Sequence, residues 1–178
     1  MPQAPAERGY SAGLVVALIA MLGGSAGAAA QTGGQAGLAA APAPVELALT
    51  GRIEHPRTLT LADLQALPPT SVEVAHVGNQ GVQRAIYTGA LLWTLLGAAV
   101  PVDEAGPRSR LQHTLLARGR DGYAVALAVG ELDPRMAGKQ VVIAYARDGS
   151  PTPALQLVVP GDSHAGRSVR DLVAIEVR

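Results

Sequence analysis

Between residue 45 and the C-terminus, apolar residues alternate with polar ones, or run unbroken for a few residues, at 45–49, 71–77, 82–87, 111–117, 123–127, 141–145, 155–159 and 172–177. Such short runs bounded by turn residues predict strands. Two further segments carry helical signals. Thr60 precedes 61–67, with Asp63 at the third helical position, where a carboxylate faces the positive helix end, and Pro68-Pro69 ends the run. Thr88 precedes 89–97, where Leu91, Leu92, Leu95 and Leu96 form one apolar stripe, closed by Gly97 and Pro101. Gly130 to Pro134 reads as a turn, and Asp148-Gly149 as a tight turn. There is no repeat and no regular βαβ alternation. The pattern therefore predicts an α+β domain with a mixed, mostly antiparallel β core and a few short helices, and disfavours a doubly wound parallel sheet.

The first 44 residues read differently. Arg8, the apolar run 12–22 and the small-residue stretch 23–30 match the three parts of a secretory signal peptide, with a small-x-small cleavage site at Ala28-Ala29-Ala30. An apolar run of 11 residues is well short of the roughly 20 that span a bilayer as a helix. Residues 31–44 are mostly Gly, Ala and Pro without charge or period, the composition of a flexible linker. The expected organisation is a signal peptide at 1–30, a linker at 31–44 and one folded domain at 45–178. The expected location is periplasmic or secreted, with no membrane span in the mature form.

Composition narrows the chemistry. Lys and Arg number 14 against 14 Asp and Glu, so no basic stripe exists for a phosphate backbone, and only 3% of residues are aromatic, too few for base stacking. Nucleic acid is not an expected partner. The absence of Cys removes disulfides, thiolate metal sites and cysteine nucleophiles. The four His, at 55, 76, 113 and 164, are too far apart in sequence to form a two-histidine metal clip on one element, and no metal ligand is assigned. Nucleotide-binding glycine loops, His-Glu-x-x-His and Gly-x-Ser-x-Gly are all missing.

Three polar, glycine-bearing segments lie at strand ends, where ligand sites gather. His76-Val77-Gly78-Asn79-Gln80-Gly81 offers donors and acceptors at His76 and Asn79, or is simply a hairpin turn with solvated tips. Arg120-Asp121-Gly122-Tyr123 is a turn leading to a phenol, which is either a site residue or a satisfied tyrosine. Pro160 to Arg170 combines two glycines, His164, Ser168, Arg167 and Arg170; its backbone N–H groups and guanidinium forks suit an oxyanion, although arginines there also pair readily with Asp162 or Asp171.

In their order along the chain, Leu49-Thr50-Gly51, Leu59 to Leu64, Tyr87 to Trp93, Asp121-Gly122-Tyr123, Val142 to Tyr145 with Asp148-Gly149, and Leu157 to Arg170 resemble the molybdopterin-binding domain of the sulfite oxidase family, especially its short exported members. The resemblance spans roughly 45–178. It implies that His76 stands where the family carries its molybdenum-ligating cysteine, within a segment of Cys-Ala-Gly-Asn-Arg type. Tyr123 resembles the active-site tyrosine, so the resemblance gives Tyr123 and His76 catalytic positions. It gives Asn79, His164, Arg167, Ser168, Val169 and Arg170 to the cofactor, with Arg167, Ser168 and Arg170 gripping its phosphate. An imidazole is harder than a thiolate and uncharged when neutral, so the substitution changes any metal chemistry. Within 45–178 the resemblance leads us to expect no counterpart of the family's upstream cofactor segment or of its dimerisation domain. Two readings follow. One is an exported oxidoreductase-like domain binding molybdopterin or a small anion and served by a redox partner protein; the other is a cofactor-free binding or accessory module on the same fold.

Overall fold

The computed structural model describes residues 45–79, 81–102 and 109–178. The signal peptide and linker expected at 1–44 lie outside the described residues, as does Gln80.

Among the described residues, nine strands form two sheets. The first has the order β2-β1-β9-β5-β6, built from β1 (Glu46–Gly51), β2 (Arg57–Thr60), β5 (Thr114–Gly119), β6 (Ala124–Ala128) and β9 (Leu172–Val177). Only β1 and β9 run parallel; their neighbours are antiparallel. The second sheet is wholly antiparallel, β3-β4-β7-β8, from β3 (Pro69–Gly78), β4 (Gly81–Leu91), β7 (Val142–Arg147) and β8 (Ser150–Val158). Three short helices complete the domain: α1 (Leu61–Gln65), α2 (Leu92–Ala99) and α3 (Val129–Leu132). The domain is α+β with a mixed, mostly antiparallel core, as the sequence pattern predicts.

Local chemistry explains most boundaries. Thr60 caps α1 in a reciprocal box: the Asp63 N–H donates to the Thr60 hydroxyl at 3.3 Å, and the Thr60 N–H donates to the Asp63 carboxylate at 2.8 Å. The Thr60 hydroxyl, which donates to the Asp63 carboxylate at 2.7 Å, and then the Thr60 N–H hold the Asp63 carboxyl below its usual range. At the β7–β8 turn, Asp148 and Gly149 both take positive φ, 49° and 80°, the left-handed pair that a two-residue hairpin needs.

Two expectations are corrected and one strand is added. Thr88 does not cap a helix: β4 continues to Leu91, the Thr88 hydroxyl lies 2.8 Å from that of Ser71, and α2 starts at Leu92, whose N–H donates to the Val141 carbonyl. Pairing of β4 with both β3 and β7 outweighs the helical stripe. Residues 109–112 form a 3-10 turn, so β5 begins at Thr114 rather than Leu111. The strand β2, with only Leu59 buried, has too short an apolar signal to stand out.

Both sheets and all three helices contribute to one main core, including Leu47 and Leu49 of β1, Leu64, Leu95, Ile143, Leu157 and Ile175. The centre of the second sheet is buried on both faces: Ile143 belongs to the main core, while Val142 and Ala144 join Val72, Val74, Ala85, Tyr87 and Val158 in a second cluster. That second cluster is continuous with the residues of the candidate site. Among the described residues, no helix is long and apolar enough to cross a membrane.

Candidate functional site

On β3 and β4 the side chains of one face come in cross-strand pairs: Val72 with Tyr87, Val74 with Ala85, His76 with Gln83. The face begins apolar and turns polar towards the hairpin tip. Over that polar end lies a cavity of about 440 Å³, an ordinary size for a small-ligand site. Its other walls are Arg147 from the end of β7, Gln156 from β8, Asp121 and Tyr123 from the β5–β6 turn, and Ser168 and Arg170 from the loop before β9.

The loop is fixed to the scaffold on several sides. The Val77 N–H donates to the Ser163 carbonyl at 2.8 Å, tying the β3 end to the loop. Tyr123 donates its phenolic hydrogen to the Gly166 carbonyl. Val169, fully buried, exchanges backbone hydrogen bonds with Leu157 at 2.9 and 3.1 Å. Arg120 grips Asp171 through its backbone N–H to the carbonyl and its Nε to the carboxylate, both at 2.9 Å. Gly119 allows the close approach, since a Cβ there would lie 2.7 Å from the Arg170 carbonyl oxygen and 2.9 Å from Asp121. A Tyr123→Phe variant loses one of these ties while keeping the ring. It is expected to lower unfolding free energy by about 0.5–1.5 kcal/mol in urea titrations, with faster amide exchange confined to 164–168.

Among the residues that line the cavity, several polar groups have no partner among the described residues. The Nε2 of His76 is enclosed by protein and makes no hydrogen bond. The Arg170 guanidinium and the Ser168 hydroxyl also lack a hydrogen bond or ion pair there, although both residues line the space. Arg147 lies over the Tyr87 ring, 5.6 Å from its centroid, and its Nε is 3.3 Å from Asp148. Asp121 accepts the Tyr123 N–H at 2.9 Å. Buried polar groups without partners are costly, and two guanidiniums face a single lining carboxylate, so the arrangement suits an anion that can accept several hydrogen bonds.

The structure brings together His76, Tyr123, Ser168 and Arg170 of the residues singled out by sequence. It places the others elsewhere. Arg167 points its fork at carboxylates: Nε and Nη2 lie 2.8 and 2.6 Å from Asp162, and Nη1 lies 2.8 Å from Glu131. Lys139 stands 3.6 and 3.8 Å from the same two acids. Hydrogen bonds that it donates to Asp162 and then to Glu131 hold Arg167 even more firmly protonated than a free guanidinium. Asp162 is lowered, first by the Arg167 hydrogen bond. Burial pushes Glu131 up, but the bonds from Arg167 and the Ala128 N–H, with the charges of Arg167 and Lys139, carry it below its usual range. Thus Arg167 has its donors committed to the loop's own anchoring, Val169 gives its side chain to the core, and Asn79 and His164 are exposed outside the cavity lining.

Asp121, Arg147, Gln83, Gln156 and Tyr87 line the cavity without having been singled out for it. For Gln83 the signal was available: it shares its phase with Ala85 and Tyr87, so a polar side chain falls on the inward face of an otherwise apolar strand.

No protein-family model matches the chain, and no curated protein does. Among solved structures, it is similar to the crystal structure of the sulfane dehydrogenase SoxCD from Paracoccus pantotrophus, with a TM-score of 0.60 and 19% identity. The match covers 75% of this chain and 38% of that one, so this chain spans well under half the length of its neighbour. At that identity the likeness is one of fold: the two-sheet α+β scaffold that carries the cavity is shared with part of an oxidoreductase.

Proposed function

We propose that the chain is an exported binding module whose cavity takes a small oxyanion or the phosphate end of a larger ligand, molybdopterin included. The observation that carries this reading is the convergence of Arg170, Ser168 and His76 on one cavity, with Arg170 and Ser168 unpartnered among the described residues. These groups fit an anionic phosphate. They do not fit a protein-held molybdenum: the chain has no Cys to supply a thiolate, and no cluster of three or more metal-ligating side chains occurs among the described residues. The reading therefore involves no redox step on the protein, and the redox partner that an oxidoreductase would need has no role in it.

Binding of phosphate and sulfate to the full chain, followed by calorimetry at constant ionic strength, tests this. Wild-type protein is expected to bind millimolar or tighter and to gain thermal stability, while Arg170→Ala weakens binding about tenfold or more with little loss of stability, because that side chain is exposed. Equal affinity in wild type and Arg170→Ala would remove the site from this cavity. Stoichiometric molybdenum in protein purified from a host that makes the cofactor would overturn the non-redox reading.

A further inference from the structure

Resting on the anion-site reading above, we propose that the cavity takes up a proton on His76 together with its oxyanion, so that affinity rises as the medium becomes more acidic. His76 lines the cavity, and its Nε2, enclosed by protein, has no hydrogen-bond partner among the described residues, so no neighbouring group fixes the ring's protonation. A neutral imidazole adds no charge beside the anion. An imidazolium adds a positive charge to the cavity wall and so favours the anion.

The groups around His76 set the sign. On β4, directly opposite, is neutral Gln83, and on β8 neutral Gln156. Arg147 at the end of β7 and Arg170 on the loop are cationic, while the β5–β6 turn supplies the Asp121 carboxylate and the Tyr123 phenol. Glu73 and Arg84 pair with each other at 3.4 Å on the opposite face of the β3–β4 hairpin. In the empty cavity a third cation beside two guanidiniums is opposed by one lining carboxylate, Asp121, with Asp148 already paired to Arg147. An arriving dianion reverses that balance, and the ligand and the proton then favour each other reciprocally. A site made of arginines alone would show no such dependence, because guanidinium stays protonated throughout, whereas imidazole is the side chain that ordinarily changes charge between pH 5 and 8.

Sulfate is the probe, because it stays a dianion across this range. Calorimetry on the full chain, in buffers of different ionisation enthalpy, is expected to show net proton uptake on binding. The affinity is expected to be about tenfold higher at pH 5.5 than at pH 8. Imidazole NMR of the wild-type protein is expected to show the His76 titration displaced to higher pH by sulfate, with exposed His164 unmoved. His76→Gln keeps a neutral donor and is expected to bind with a flat pH profile; His164→Gln keeps the slope. Sulfate affinity that is the same at both pH values, or a slope that survives in His76→Gln, overturns the proton coupling while leaving the anion site standing. No sulfate binding at either pH overturns the anion site itself, and the coupling with it.

Discussion

Gly89→Ala is expected to lower the stability of the domain by about 3 kcal/mol or more, which for a domain of this size moves the thermal midpoint down by roughly 10 °C. A Cβ at this position would sit 2.1 Å from the Ile143 carbonyl oxygen and 2.6 Å from the Ala144 Cα. Both are backbone atoms of β7, the central strand buried on both faces, so neither can swing aside as the end of a side chain would. The register of β4 against β7 shifts between Thr88 and Gly89, and the close approach belongs to that irregularity. Gly78→Ala serves as the control. Its added methyl would meet only ordinary contacts at 3.8–4.0 Å, and its backbone does not need a positive φ, so its midpoint is expected to stay within a degree or two of wild type. Circular dichroism melts of the two variants test the contrast. A Gly89→Ala midpoint close to that of Gly78→Ala would mean that β4 and β7 do not approach as closely as described.

Burial of both faces at the end of β4 explains what could and could not be read from the sequence. Strands with one steady inward phase, such as β1 with Leu47 and Leu49, are visible as alternation because a single face packs on the core. Along β4 the alternation holds but both faces become buried: Ala85 and Tyr87 belong to the second cluster, against which Leu91 also packs, whereas Ala90 and Leu92 on the other side belong to the main core. Leu91, Leu92, Leu95 and Leu96 satisfy a helical stripe equally well when the strand takes the first of them. The choice is made by pairing with β3 and β7, which are distant in sequence.

The candidate site divides in the same way. His76 and Tyr123 were legible because a polar group at a strand end beside glycine is unusual against an apolar background. Arg167 and Arg170 cannot be ranked from the sequence: both lie in one loop, three residues apart, and each has an aspartate nearby. What separates them is Glu131, 36 positions upstream, which α3 brings to Arg167 and not to Arg170. Local sequence offers Asp162 as a partner; only the tertiary fold supplies the second carboxylate that completes the fork.

That difference yields a second large effect. Arg167→Ala is expected to cost about 1–3 kcal/mol, less than a fully buried pair because these side chains keep some contact with solvent, and to loosen the loop that carries Ser168 and Arg170. Arg167→Lys is expected to recover little, since one ammonium cannot reproduce a two-point grip on Asp162 with a third bond to Glu131, and Lys139 already holds a lysine's position beside both acids. The pH dependence has a definite sign. Asp162 and Glu131 have folded-state values depressed below 3.8 and 4.5, so their contribution is fully present above those ordinary values and is lost as pH falls through the lowered ones. The stability gap between wild type and Arg167→Ala should therefore be widest near neutrality and close under acid conditions, as denaturant titrations from pH 7 down to about pH 2.5 would show. Sulfate affinity should fall together with loop order in this variant, whereas in Arg170→Ala it should fall with stability preserved. If Arg167→Ala instead lost binding at unchanged stability, with 164–168 as protected from exchange as in wild type, Arg167 would be touching the ligand itself. The ion network would then have to open when the cavity fills.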